Sequence, residues 1–179
     1  MAYTQTITKG FTIRVTAGYP TYPSGGAHGG IDTVHTDLKA YAPEGGKIVT
    51  AHIWEGGTTG VDSWGNYIVV LMGDGNYWLA AHFTTQNHNV GDVINKGDFI
   101  GTQGQSGNVT GTHTHWEYWV GGFGTKYRHD PSTILGIPNS VGTFAVEWGG
   151  DTPPELPEPP EPPVPTKKLP IWLYFKLRR

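Results

Sequence analysis

The 179-residue chain contains no cysteine. That removes disulfides, Cys-ligated zinc fingers, iron–sulfur clusters and thiol nucleophiles together. Charge is also scarce: 15% of residues are Asp, Glu, Lys or Arg, and the formal net charge is −3. A broad basic surface is therefore absent and no nucleic-acid partner is expected. No apolar run approaches the roughly 20 residues of a membrane-spanning helix. The stretch Met1–Lys9 has neither the basic start nor the apolar core of a signal peptide, so no secretion leader is expected. Also missing is any stretch of about 11 residues or more that keeps a helical apolar period without a Gly or Pro breaking it.

Glycine and aromatics are plentiful, with 27 Gly, seven Trp and nine Tyr. Glycine is costly inside helices, so this balance suits a turn-rich β protein. Strands are expected over Lys47–Trp54, Asn66–Met72, Tyr77–Phe83, Asp98–Gly101 and Thr112–Val120. Gly73-Asp74-Gly75-Asn76 turns the second into the third as a hairpin. Ser132–Leu135 is expected to form one short helical turn. The predicted fold is mainly β, an antiparallel sheet domain with long loops. Composition divides the chain in three. Residues 1–150 are mixed and carry a net −4, residues 151–165 are mostly Pro and Glu and carry −4, and residues 166–179 are apolar and basic and carry +5. The middle zone favours polyproline II and reads as a semi-rigid linker. The last reads as a short adhesive tail.

Eight histidines stand out. Two groupings exceed what scattered surface histidines would give. In His28-Gly29-Gly30-Ile31-Asp32 the glycines let the backbone turn tightly, so a nitrogen and an oxygen ligand converge on one ion. In His113-Thr114-His115, on an expected strand, residues i and i+2 share a face. One imidazole of that pair can bind a metal while the other meets the water or substrate on it. Two histidines and one Asp, with a fourth position open, is the pattern of catalytic zinc; structural zinc is closed by four ligands, usually with Cys. His82 ends an apolar strand after Ala80-Ala81, where an unpaired imidazole would be costly. A backbone hydrogen bond would also satisfy it there.

The order HGGID at 28–32, Asn66-Tyr67-Ile68-Val69-Val70, Ala81-His82, GQSGN at 104–108 and Thr110-Gly111-Thr112-His113-Thr114-His115-Trp116-Glu117 resembles the lysostaphin/LytM-type zinc endopeptidases of peptidoglycan, over about residues 19–137. The resemblance implies a Zn2+ cofactor held by His28, Asp32 and His115, with His82 and His113 as the catalytic pair. It implies a further role for Tyr22, which lies six residues before the first ligand, as a donor to the oxyanion. The stretch Gly121–Tyr127, followed by Asp130-Pro131, is similar to the loop that walls the substrate groove. Thr33–Tyr41, carrying His35, stands between the ligand Asp and Ala42-Pro43-Glu44-Gly45 as a small insertion, close to the metal ligand in sequence.

By this resemblance the chain is a metallo-endopeptidase that hydrolyses peptide bonds in bacterial peptidoglycan, with a Gly-Gly bond favoured. It would act on the bacterial cell wall, as a phage lysin released at lysis or a virion component. Its tail would dock on another protein in preference to a membrane surface. The alternative is a catalytically idle copy serving as a structural or binding part of a larger assembly such as a phage tail. Against it, all five metal and catalytic positions are filled. A carbohydrate-binding module would account for the aromatics but not for the His/Asp spacing.

Overall fold

The computed structural model describes residues 1–150; the linker at 151–165 and the tail at 166–179 lie outside the described residues. Twelve strands are present among these: β1 (Tyr3–Gln5), β2 (Thr12–Ala17), β3 (Ile31–His35), β4 (Lys39–Tyr41), β5 (Gly46–His52), β6 (Asn66–Leu71), β7 (Tyr77–Thr85), β8 (Val93–Ile94), β9 (Phe99–Gln103), β10 (Thr114–Trp119), β11 (Arg128–His129) and β12 (Gly142–Trp148). A single helical turn, α1, covers Ser132–Leu135. The five expected strands are all present with shifted ends, and the helical turn falls where expected. The strands at both ends of the domain, β1 to β3 and β12, carried no marked pattern in the sequence.

The sheet runs in the order β1-β12-β2-β3-β10-β7-β6-β5-β8, with β11 on β10, and β9 joining β4 to β7. The expected mainly antiparallel sheet is present, with one parallel pairing at its edge. β1 pairs parallel with β12, so the sheet is mixed. The two strands come from opposite ends of the domain, so no hairpin turn dictates their direction.

Alternation along the central strands sorts side chains to two faces. One face carries the main core, with Ile31, Ile68, Val70, Trp78, Ala80 and Trp116 all buried. The other carries a smaller cluster of Tyr67, Val69, Leu79, Ala81 and Trp119. His115, Glu117 and Trp119 share this second face by the two-residue period. Asp32 joins them because β3 pairs with β10 in a register that sets Asp32 opposite His115 and Ile31 opposite Trp116.

His82 breaks the alternation. By period it would join Trp78 and Ala80 in the main core. Instead its backbone turns to φ 68°, at an irregular stretch where β7 shifts register against β6. Phe83 consequently enters the main core, and His82 is re-aimed to the other face. A bulge or left-handed residue in a strand commonly re-aims a side chain in this way, and such strain concentrates at functional sites.

The β3–β10 contact tolerates no side chain at position 30. A Cβ on Gly30 would lie 1.8 Å from the Trp116 carbonyl oxygen. Gly30→Ala is therefore expected to destabilise the domain by about 3 kcal/mol or more. Gly73→Ala, where nothing lies within 4 Å, should stay within about 0.5 kcal/mol of the parent. Denaturant unfolding of both variants checks this; an equal response would show that strand spacing is not the constraint.

Candidate metal centre and its groove

His28 reaches the site from a small hairpin over residues 20–28. The Tyr22 N–H donates to the Gly26 carbonyl, the Gly25 N–H to the Tyr22 carbonyl, and the His28 N–H to the Pro20 carbonyl. The hairpin leaves Tyr22 half-exposed, its ring stacked on the His28 imidazole at 4.1 Å. His28 Nδ1 lies 2.8 Å from the Gly18 carbonyl. Nδ1–H donates there, and the Nε2 lone pair is left free.

That lone pair meets two others. Nε2 of His28 lies 3.2 Å from Asp32 Oδ1 and 3.2 Å from His115 Nδ1, and His115 Nδ1 lies 2.8 Å from the same carboxylate oxygen. All three residues are buried, and one ligand atom from each falls within a 4.8 Å group. Zinc bonds of about 2.0–2.1 Å in a tetrahedron set neighbouring ligands about 3.3 Å apart. The donor set, two imidazoles and one carboxylate at this spacing, fits zinc with a position left over. His115 Nε2, on the far side of its ring, lies 3.1 Å from Glu117 Oε1. The buried carboxylate keeps a proton on Nε2, so Nδ1 is the atom turned to the group.

His113 and His82 border the open side. His113 Nδ1 donates to the Gly111 carbonyl at 2.8 Å, and its Nε2 stands 3.6 Å from Asp32 Oδ1. His82 Nδ1 donates to the Ser106 carbonyl at 2.9 Å, so each imidazole keeps a free Nε2. Their ring centroids are 4.7 Å apart. The backbone hydrogen bond foreseen for His82 exists, and it orients the ring beside the metal group. The GQSGN segment holds this acceptor in place: Ser106 Oγ donates to the Phe83 carbonyl and accepts the Asn66 N–H.

Electrostatics follow from the packing. Burial would raise the Asp32 carboxyl, but the His115 and His28 imidazoles packed against it overcome this and hold the group well below the carboxylate range. Burial would lower His115, yet its bonds to Asp32 and Glu117 raise it to about 9, so a metal ion competes there with a proton. Burial lowers His82 to about 3, with like-charge repulsion from His115 and His113 acting in the same direction. Burial likewise lowers His113. Burial and the Asp32 charge raise the Tyr22 hydroxyl, which stays a proton donor at neutral pH.

Two hollows, both lined in part by Tyr22, flank the site as the arms of a groove. One arm, about 200 Å³, is lined by Trp64, His82, Asn108, His115 and Arg128. The other, about 310 Å³, is lined by Arg14, Pro23, Asp32, Thr112 and His113. Thr125, Lys126 and Arg128 line a hollow with His28, so the 121–127 stretch does border the site.

His35 does not. The Thr33–Tyr41 segment completes β3 and forms β4, and it turns His35 into the interior against Trp116. There Nδ1–H donates to the Lys39 carbonyl at 2.7 Å and Nε2 accepts from Thr33 Oγ1 at 2.9 Å. Missed by the sequence reading were Glu117 and Arg128. Glu117 was visible two residues beyond the HxH pair, on the same strand face. Arg128 carried no local signal.

The fold and the donor set together make a mainly β domain built around a candidate His–Asp–His metal group. The chain belongs to peptidase family M23, whose model matches residues 26–128; M23 peptidases are zinc-dependent. It is 34% identical to lysostaphin of Staphylococcus simulans over 128 residues, covering 66% of this chain and 24% of that protein. It is 33% identical to the glycyl-glycine endopeptidase ALE-1 of Staphylococcus capitis over 126 residues, covering 66% and 32%. The chain thus spans a quarter to a third of the length of these relatives. The catalytic domain of lysostaphin from Staphylococcus simulans superposes with a TM-score of 0.57 at 32% identity, covering 66% of this chain and 88% of that domain.

Acid should weaken the fold through His35. Burial holds its folded pKa at about 4, against about 6.5 in the unfolded chain. Its contribution is complete above pH 6.5 and is lost as pH falls towards 4, because only the unfolded chain takes the proton. The slope is up to about 1.4 kcal/mol per pH unit. Denaturant midpoints between pH 7 and 4.5 should fall less steeply in His35→Gln than in the parent. Parallel slopes would refute the assignment.

Proposed function

We propose that the chain is a zinc-dependent endopeptidase that hydrolyses peptide bonds of bacterial peptidoglycan, with His28, Asp32 and His115 as metal ligands. The observation that carries this reading is the convergence of three ligand atoms in the floor of an open groove, with two further imidazoles at its free side. When bound, zinc supplies a Lewis acid that acidifies water and polarises a peptide carbonyl. His82 and His113 each present an Nε2 that accepts or returns a proton during attack and departure of the amine. Burial disfavours their charged forms, so each Nε2 is unprotonated at neutral pH. Tyr22, at the groove's rim, donates to the carbonyl oxygen as it gains charge. Tyr22 lines both arms of the groove, and one relative bears the name glycyl-glycine endopeptidase. A Gly-Gly cross-bridge is therefore the substrate we favour.

Asp32→Ala and His115→Ala should lose most zinc and all cleavage of a glycine-bridged peptide. His82→Ala and His113→Ala should keep about one zinc per chain and lose cleavage by about 10²-fold or more, the scale of acid–base catalysis. Tyr22→Phe should lose less than the ligand variants. Metal analysis with mass spectrometry of the fragments checks all five. Full zinc occupancy in the first pair, or normal cleavage in the second, would overturn the roles given.

The same proposal gives residues 166–179 an attachment role. Trp172, Tyr174 and Phe175 stand among five basic residues, a composition suited to contact with a partner. We take the partner to be another protein. Truncation after Pro165 should leave zinc content and cleavage of free peptides unchanged and abolish attachment. Co-sedimentation of the full chain with anionic vesicles, lost on truncation, would instead identify a membrane surface.

A further inference from the structure

Glu117 takes no part in the mechanism above, yet it is a fully buried charge directly behind His115. Its two oxygens accept from four donors. Oε1 accepts His115 Nε2–H at 3.1 Å and Arg128 Nη2–H at 2.5 Å. Oε2 accepts Trp119 Nε1–H at 2.7 Å and Arg128 Nε–H at 2.6 Å. The arginine grips the carboxylate in the two-pronged geometry that fixes orientation as well as charge.

Arg128 also reaches the other ligand-bearing segment. A Cβ on Gly29 would lie 2.4 Å from the guanidinium carbon, so the side chain rests on the loop between His28 and Asp32. One arginine on β11 therefore touches the HxxxD loop and, through Glu117, the imidazole of His115. The chemistry of the carboxylate matters here. A carboxylate offers only acceptors, as four N–H groups require. Gln at position 117 would turn one donor towards those groups. Facing His115, that donor would favour a proton on Nδ1 and remove the lone pair from the metal position.

We infer that Glu117 and Arg128 are positioning residues for the metal centre: Glu117 fixes His115 with its proton on Nε2 and its lone pair towards the metal, and Arg128 locks Glu117 to the HxxxD loop. The inference rests on the zinc reading above. Partners of this kind typically change metal affinity by 10–100-fold when removed.

The test is zinc affinity, measured by competition with a chromophoric chelator on full-length protein. Glu117→Gln should bind zinc 10–100-fold more weakly than the parent. Arg128→Lys, which keeps charge but loses the two-pronged grip, should show a smaller loss in the same direction. Leu135→Ala, cut into the core away from the groove, serves as a control of reduced stability, judged by the melting temperature of the zinc-free proteins. It should melt earlier yet bind zinc as the parent does. Histidine 15N shifts of the zinc-loaded parent should show His115 metal-bound through Nδ1 and protonated at Nε2. Unchanged affinity in Glu117→Gln and Arg128→Lys, or an equal loss in Leu135→Ala, would overturn the positioning role while leaving the zinc centre intact. A parent that binds no zinc would instead overturn the zinc reading and this inference with it.

Discussion

Antiparallel pairing of β3 with β10 sets Asp32 directly opposite His115, and the site inherits its geometry from that register. A slip of one residue would send one of the two to the opposite face of the sheet. The register is held from both sides. Ile31 and Trp116, opposite each other, are buried in the main core, and Gly30 lets the two backbones close up beside them. Behind them, Thr33 Oγ1 accepts from Trp116 Nε1 at 2.8 Å, while Gln103 bonds the Thr33 carbonyl and Thr114 Oγ1, each at 3.0 Å. Buried polar groups satisfied this fully resist displacement, because any slip strands several of them at once.

The two faces of the sheet consequently do different work. One is a hydrophobic core that supplies stability. The other collects groups that would be expensive to bury alone: His28, Asp32, His82, His115 and Glu117 are all buried, and each has a partner in another of the group or in a backbone carbonyl. Mutual hydrogen bonding keeps Asp32 and Glu117 ionised despite their burial. The two imidazoles at the open side are driven the other way, towards neutrality. An ionised Asp32 is able to ligate a metal, and unprotonated imidazoles at the open side are able to accept a proton at neutral pH.

The loops are tied to this face rather than resting on it. The GQSGN segment gives its Ser106 carbonyl to His82 and its Asn108 N–H to the Ser63 carbonyl. Asn139 ties the region beyond α1 to the ligand hairpin through the Tyr19 backbone and to Asp130. These ties fix separate stretches of chain around the candidate metal group.

Much of this was legible in the sequence, because the informative signals were local. The HxxxD and HxH spacings report which side chains share a turn or a strand face, and the central strands announced themselves by β-branched and aromatic runs. The scarcity of helical periods determined a mainly β domain. Tertiary structure decided what spacing cannot carry. The direction of β1 against β12 depends on how the two ends of the domain meet. The facing of His82 depends on a positive φ that no residue type announced. The burial of His35, three residues beyond Asp32 in sequence, depends on β4 drawing it inward. Arg128 became part of the site only because β11 folds back along β10, bringing a guanidinium to a carboxylate 11 residues earlier in the chain. A sequence states which groups are available and which near neighbours they share. Contacts between distant segments arise only when the sheet closes its register.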